Sequence, residues 1–297
     1  VSDFDLNLYT AERVQIIHDG LDRFTPSADT PPVPLHTAMR YSLMAGGKRI
    51  RPLLCMAAAE AVGGDAVQVL PMACALEMLH TFSLIHDDLP AMDNDDFRRG
   101  IPTSHKQFGE AMAILAGDAL HTLAFATIAR HQRTENPEQI IRAMAIFADA
   151  SGSTGMCGGQ VDDMYYEGKP VTPEILRHIH AQKTGALLNA SLLTGAILCN
   201  ATAEQEECLQ KYGSHVGVAF QIVDDILDVT GDDAKIGKPT GSDEKNDKAT
   251  YPKLFGLEVS ARMAREATDS ALDALSVFDH HAEPLRAFAR FIVERDL

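Results

Sequence analysis

Tryptophan is absent from the 297 residues, and all aromatic residues together make up 6%. With Ala, Leu, Met and Glu abundant, that usage favours helix over strand. Basic residues are also short. The chain has 26 Lys and Arg against 42 Asp and Glu, a formal net charge of −16. A nucleic-acid binder carries a basic face, so this balance argues against nucleic acid as a partner. It would also repel a diphosphate unless local Lys/Arg clusters or bound cations offset it. Cysteine is scarce and unpatterned: Cys55, Cys74, Cys157, Cys199 and Cys208 are odd in number and form no CxxC pair. A disulfide framework or structural zinc site is therefore not expected, and a reducing, cytoplasmic setting is. No signal peptide is visible around Asp3 and Asp5. The longest apolar stretches are broken by Glu110, Asp118 and His121 or by Gly and Pro, so no membrane span is expected.

Apolar residues make up 45% of the chain, enough for a real core. Length alone leaves one large or two smaller units open. No domain boundary and no repeat of fixed period is visible, so residues 1–297 are read as a single domain. Helical period runs through Leu76, Leu79 and Phe82, through Ile114, Leu115, Leu120 and Leu123, and through Val218, Ile222, Ile226 and Val229. Breakers cluster at 25–34, 98–103, 131–137, 168–173 and 230–252. Between them the pattern predicts an all-α bundle of roughly ten helices with mostly short links. The segment 230–252 is long and polar, as lids and linkers are.

Two acidic clusters each follow an apolar helical run: Asp87-Asp88 with Asp93, and Asp224-Asp225 with Asp228. In the second, Asp224 and Asp228 share a helical face with Gln221, and Asp225 is rotated by about 100° into a supporting position. In the first, Pro90 cannot continue the helix cleanly; a local bulge there could bring Asp93 back beside Asp87, although a strict i+4 count would not. At an effective dielectric of about 20 and a separation of about 5 Å, each carboxylate pair costs on the order of 3 kcal/mol. Hard divalent cations offset such a cost, and Mg²⁺ shares one or two carboxylates with substrate phosphates. Glu77-Met-Leu-His80 has the Glu-x-x-His spacing of di-iron bundles, but that site needs a second copy, which is missing.

The cations lie close by in sequence. Gly46-Gly47-Lys48-Arg49-Ile50-Arg51-Pro52 reads as a turn entering a helix, with Lys48 and Arg51 able to project together toward an anion. Arg98 and Arg99 follow the first acidic cluster, and Lys183-Thr184 and Lys238 offer further donors. His80 lies on nearly the same helical face as Asp87; taken alone it reads as a core histidine. Together these suit a site for two polyanions, one held through metal and one directly by Lys, Arg and His.

These stretches resemble the short-chain trans-prenyl diphosphate synthases, most of all the bacterial farnesyl diphosphate synthase kind. The likeness rests on GGKRIRP at 46–52, HTFSLIHDDLPAMDNDDFRRG at 80–100, GQVDD at 159–163, KTG at 183–185, FQIVDDILD at 220–228 and GKPTGSDEKNDKATYP at 237–252, in the family's order. It implies a deep central cavity inside the helical bundle and a homodimer. It implies that Asp87 and Asp93, supported by Asp88, and Asp224 with Asp228 hold Mg²⁺, three ions once the diphosphate is bound. Arg98, Lys183, Thr184, Gln221, Lys238 and Lys248 would hold the allylic diphosphate, and Lys48, Arg51, His80 and Arg99 the isopentenyl diphosphate. Asp87, Asp88, Lys183, Asp224 and Lys238 would carry the catalytic burden, with 230–252 as a closing element. A large aromatic at Phe82, beside Ser83, resembles enzymes that stop at fifteen carbons, whereas a small residue there would resemble makers of twenty-carbon chains. The expected product is farnesyl diphosphate, with geranylgeranyl diphosphate as the alternative. A terpene cyclase would need a different second metal motif, and a non-catalytic partner subunit would be expected to have lost an acidic cluster or its cations.

Overall fold

A computed structural model describes residues 4–230 and 248–294. Among the described residues the chain forms fourteen α-helices. The first four are α1 (Leu6–Phe24), α2 (Val33–Leu43), α3 (Ile50–Ala61) and α4 (Leu70–Asp87). A two-residue hairpin pairs β1 (Phe97–Arg98) with β2 (Ile101–Pro102). There follow α5 (Ser104–Phe108), α6 (Glu110–His131), α7 (Pro137–Ser151), α8 (Met156–Tyr166), α9 (Pro173–His180), α10 (Ala186–Leu198) and α11 (Ala203–Thr230). The last are α12 (Tyr251–Phe255), α13 (Leu257–Ala274) and α14 (Glu283–Glu294). The all-α expectation is met, and the helices outnumber the ten read from the breakers. Single glycines account for part of the excess, because Gly109 and Gly256 each divide a short helix from the long one that follows by adopting φ of +86° and +81°.

The helix ends follow local chemistry. Asp5 caps α1 by accepting from the Asn7 and Leu8 amides at 2.9 and 3.1 Å, and Asn136 caps α7 through the Glu138 amide at 3.1 Å. Pro137 and Pro173 open α7 and α9, where a missing N–H costs nothing. Helix α4 is buried over most of its length, from Leu70 through Leu79, and packs against α1, α3 and α6. Helix α10 is more apolar still and lies on α3 so closely that a Cβ at Gly195 would stand 2.0 Å from the Cys55 carbonyl oxygen. All five cysteines are unpaired.

Two stretches, 66–87 and α6, are long and apolar enough to cross a membrane, so the charged interruptions noted in the sequence do not exclude a span by length and composition. The first is apolar because it runs through the core. Helix α6 buries Ala113, Ala116, Leu120 and Ala124 against α4 and leaves Ile114 and Leu115 exposed on its outer side.

The molecule contains a local duplication. Thr103 precedes α5 and Thr250 precedes α12, and each short helix ends in Lys-x-Phe-Gly: Lys106 to Gly109, and Lys253 to Gly256. The two glycines share a backbone conformation, with ψ of 157° and 158°. In both cases an acidic helix end is followed by the short helix, and the next long helix folds back on the acidic one, α6 on α4 and α13 on α11.

Candidate active site

Helix α4 stops at Asp87, as Pro90 requires. The chain then folds back: the Asp93 amide donates to the Asp87 carbonyl at 2.8 Å, and Asn94 takes a left-handed turn at φ 53°. Asp93 thereby returns beside Asp87, as the bulge argument expects. Asp87 is largely enclosed, and its pKa is raised by burial and by Asp93, against the pull of Lys183, Arg98 and Lys248. Asp88 points elsewhere. It is buried, accepts from Arg98 Nε at 2.5 Å, and its pKa is pushed up to about 7 by burial despite that partner. Arg98 also pairs with Asp95 at 3.1 Å.

Helix α11 presents the second cluster. Asp224 is half-buried, and Asp225 and Asp228 are buried. Asp225 has the supporting place assigned to it: it accepts from Gln221 Nε2 and from the Tyr251 amide, both at 2.9 Å, and so ties α11 to α12. Gln221 in turn accepts from Thr184 Oγ1 at 3.1 Å.

Thr184 and Lys183 sit on a π-helical turn, Ala181–Gly185, wedged between α9 and α10. Such one-residue insertions into a helix recur at functional sites. Lys183 Nζ donates to Asp163 Oδ2 at 2.6 Å, and Lys248 Nζ reaches both Asp93 at 3.1 Å and Asp163 at 3.6 Å. Burial alone would raise the Asp163 carboxyl, but Lys183 and Lys248 hold it below its ordinary value. Asp163 lies within the GQVDD stretch, yet its role was not legible there, since its partners come from distant helices. Helix α8 can approach the π turn because residue 159 is glycine; a Cβ there would lie 2.2 Å from the Lys183 amide nitrogen.

The remaining cations gather beside α4. Arg51 is half-buried, its buried Nε has no hydrogen-bond partner, and desolvation pushes its pKa down to about 10. Glu77 and Asp224 act on Arg51 from one sign and Arg99 from the other. His80 is held well below its ordinary pKa by burial and by Arg51, Arg99, Arg98 and Arg49, so its ring is neutral here. Lys48 stands apart. Arg49 adopts a left-handed φ of 51° and breaks the helical register. Lys48 then faces solvent and lines an apolar cavity between α1, α3, α11 and α14. Lys238 lies outside the described residues, as does most of the 230–252 segment.

The two acidic helix ends thus border one site. Lys183 links Asp87 to Asp163, its neighbour Thr184 links to Gln221 on α11, and Arg51 feels both Asp224 and the cations beside α4. The donors are carboxylate oxygens, the set hard divalent cations prefer. Among the described residues, the only three candidate ligands already within 4.8 Å of one another are Asp279, His280 and His281, exposed before α14. Asp87 and Asp93 need no third protein ligand, because phosphate oxygens complete such a shell.

The enclosed His180, whose ring lies 5.5 Å from Tyr251, makes the site pH-sensitive. Burial pushes its pKa down to about 4. An unfolded histidine titrates near 6.5, so as pH falls the unfolded chain takes up a proton that the folded one refuses. This contribution to stability is complete above about pH 7 and is lost toward pH 4, by about 2 kcal/mol at pH 5. Urea melts at pH 7.5 and pH 5 check it: His180→Gln is expected to flatten the pH dependence by about that amount, leaving the same-signed share of His80.

Residues 32–281 match the polyprenyl synthetase family. The chain is 46% identical over 296 residues to a geranylgeranyl diphosphate synthase of Cyanophora paradoxa, covering 99% of this chain and 98% of that one. It is 49% identical over 258 residues to the farnesyl diphosphate synthase of Geobacillus stearothermophilus, covering 86% of each. The fold matches an FPP/GFPP synthase from Zymomonas mobilis with a TM-score of 0.87 at 36% identity, over 97% of this chain and 98% of that one.

Proposed function

The chain belongs to the polyprenyl synthetase family, and from that premise we propose that it condenses isopentenyl diphosphate head to tail with dimethylallyl and geranyl diphosphates in a Mg²⁺-dependent reaction. Prenyl transfer is the reaction class of its relatives. The observation that carries the reading is the shared border of Asp87, Asp93 and Asp224 with Lys183, Lys248, Arg51 and Arg99. Mg²⁺ held at Asp87, Asp93 and Asp224 would supply positive charge to the allylic diphosphate as it leaves.

This chain's own residues do the rest. Lys183, Lys248 and Arg98 orient the allylic diphosphate by charge-assisted hydrogen bonds. Its C–O bond breaks with the electron pair leaving on the diphosphate. The isopentenyl double bond then bonds to the allylic carbon, and a proton passes to the released diphosphate. Arg51, Arg99 and neutral His80 hold the second substrate by its diphosphate end. The surrounding helices must keep out water, which would trap the cation.

We propose farnesyl diphosphate as the product. A chain growing along α4 meets Phe82 about 7.5 Å above Asp87, at 1.5 Å per residue. Phe82 packs edge-on to His86 and tilted on His121, at 4.9 and 5.0 Å, and His121, Phe125 and Phe147 continue the row of rings. Geranylgeranyl diphosphate is the second reading, favoured by the names of relatives that span nearly the whole chain. Purified protein supplied with isopentenyl diphosphate, dimethylallyl diphosphate and Mg²⁺ is expected to make fifteen-carbon chains, and Phe82→Ala to shift the main product to twenty carbons or more. A lack of condensation would favour a partner-subunit role, and an unchanged length in Phe82→Ala would place the gate elsewhere.

We also propose a homodimer, formed through the outer face of α6. Met112, Leu115, Ala119 and Leu123 face an open groove walled by Pro26, Pro32 and Leu35. Asp118 and Arg130 on the same face suit a protein contact better than lipid. The unpaired thiols suit the cytoplasm.

A further inference from the structure

We infer that Glu77 is a positioning residue for the isopentenyl diphosphate subsite: one buried carboxylate that fixes Arg49 into the fold and aims Arg99 at the ligand. The inference rests on the reaction proposed above and adds to it a residue that no substrate touches. Glu77 lies one turn before His80 on the same face of α4 and is 1% exposed. Its Oε1 accepts from Arg49 Nη1, whose side chain is fully buried, and from Arg99 Nη2 at 3.4 Å.

Each arginine has a second anchor. Arg49 Nη2 donates to the Leu43 carbonyl at 2.7 Å, and Arg99 Nη1 donates to the Gly46 carbonyl at 2.6 Å. Arg99 can lie flat on the loop because a Cβ at Gly47 would stand 2.6 Å from its Cζ. Arg51, half-buried beside them, leaves its Nε without a partner. Three arginines in so small a space repel one another, and a flexible guanidinium would relieve that by swinging into water. Glu77 removes one unit of charge and holds Arg99 in place. Arg51 and Arg99 are left as a fixed pair of cations beside neutral His80, and little reorganisation remains when a diphosphate arrives.

If Glu77 served only to neutralise Arg49, replacing both with apolar side chains would leave the subsite intact. A buried ion pair exchanged for methionines commonly keeps its fold. The test therefore compares the parent, Arg49→Met with Glu77→Met, and Glu77→Asp, which keeps the charge but shortens the reach to Arg99. Each is checked by thermal melt, then titrated calorimetrically with isopentenyl diphosphate, a measurement that needs no turnover. Both variants are expected to weaken its binding at least about tenfold, equivalent to about 1.4 kcal/mol. The KM for the allylic substrate should stay within about twofold of the parent. In an Arg99→Met background, Glu77→Asp is expected to add less than about twofold, because its effect runs through Arg99. Parental affinity in a folded Arg49→Met/Glu77→Met or Glu77→Asp protein would overturn the inference, as would a full extra loss in the Arg99→Met background. A parent that binds isopentenyl diphosphate tightly but forms no product would refute the proposed reaction and leave the role of Glu77 standing.

Discussion

Asp87→Asn is expected to lower kcat/KM by on the order of 10³-fold while leaving the melting temperature at or above that of the parent. The two halves of this outcome have one cause. Asp87 is kept in an enclosed position beside Asp93, where its charge is unwelcome to the fold, as its raised pKa reports. Asparagine matches its size, removes the repulsion and needs no counter-charge. What it cannot do is bind a hard cation strongly or share it with a diphosphate. Steady-state kinetics at saturating Mg²⁺, beside a thermal melt without Mg²⁺, separate the effects. A variant within tenfold of the parent, or one that melts several degrees lower, would make Asp87 a structural residue and remove the α4 wall from the mechanism.

Gly159→Ala is the second large effect, and it comes from sterics alone. The added methyl group would stand 2.2 Å from the amide nitrogen and 2.7 Å from the Cα of Lys183. Backbone cannot yield as a side-chain tip can, so α8 and the π turn must separate by about an ångström. The stability cost is expected at about 1–3 kcal/mol. The loss in kcat is expected near 10²-fold, because Lys183 and Thr184 move as a unit away from the allylic diphosphate. A crystal structure of Gly159→Ala with Lys183 still paired to Asp163, together with parental kcat, would refute the steric account.

Both acidic clusters and the return of Asp93 were legible because each depends on neighbours a few residues away. Proline stops α4; the bond of Gln221 to Asp225 differs from helical counting, which set Gln221 on the face of Asp224 and Asp228. Asp163 and Glu77 were not legible, although both lie in stretches the sequence singles out. Their importance arises from Lys183, Lys248, Arg49 and Arg99, which only tertiary packing brings to them. The π turn was invisible because Ala181-Gln-Lys-Thr-Gly185 has a composition any α-helix would accept.

The twin short helices, each preceded by a threonine, have a consequence for how the chain reaches its native state. Each sits at the bend of a helical hairpin, α4 with α6 and α11 with α13, and these are the two most extensively packed helix pairs in the molecule. Contacts between elements near in sequence form before those between distant ones. The hairpins therefore assemble as separate nuclei, each bearing half of the acidic residues at its tip. A chain cut in the link between α10 and α11 would yield two pieces with one nucleus each, and catalytic competence would return only when the pieces dock.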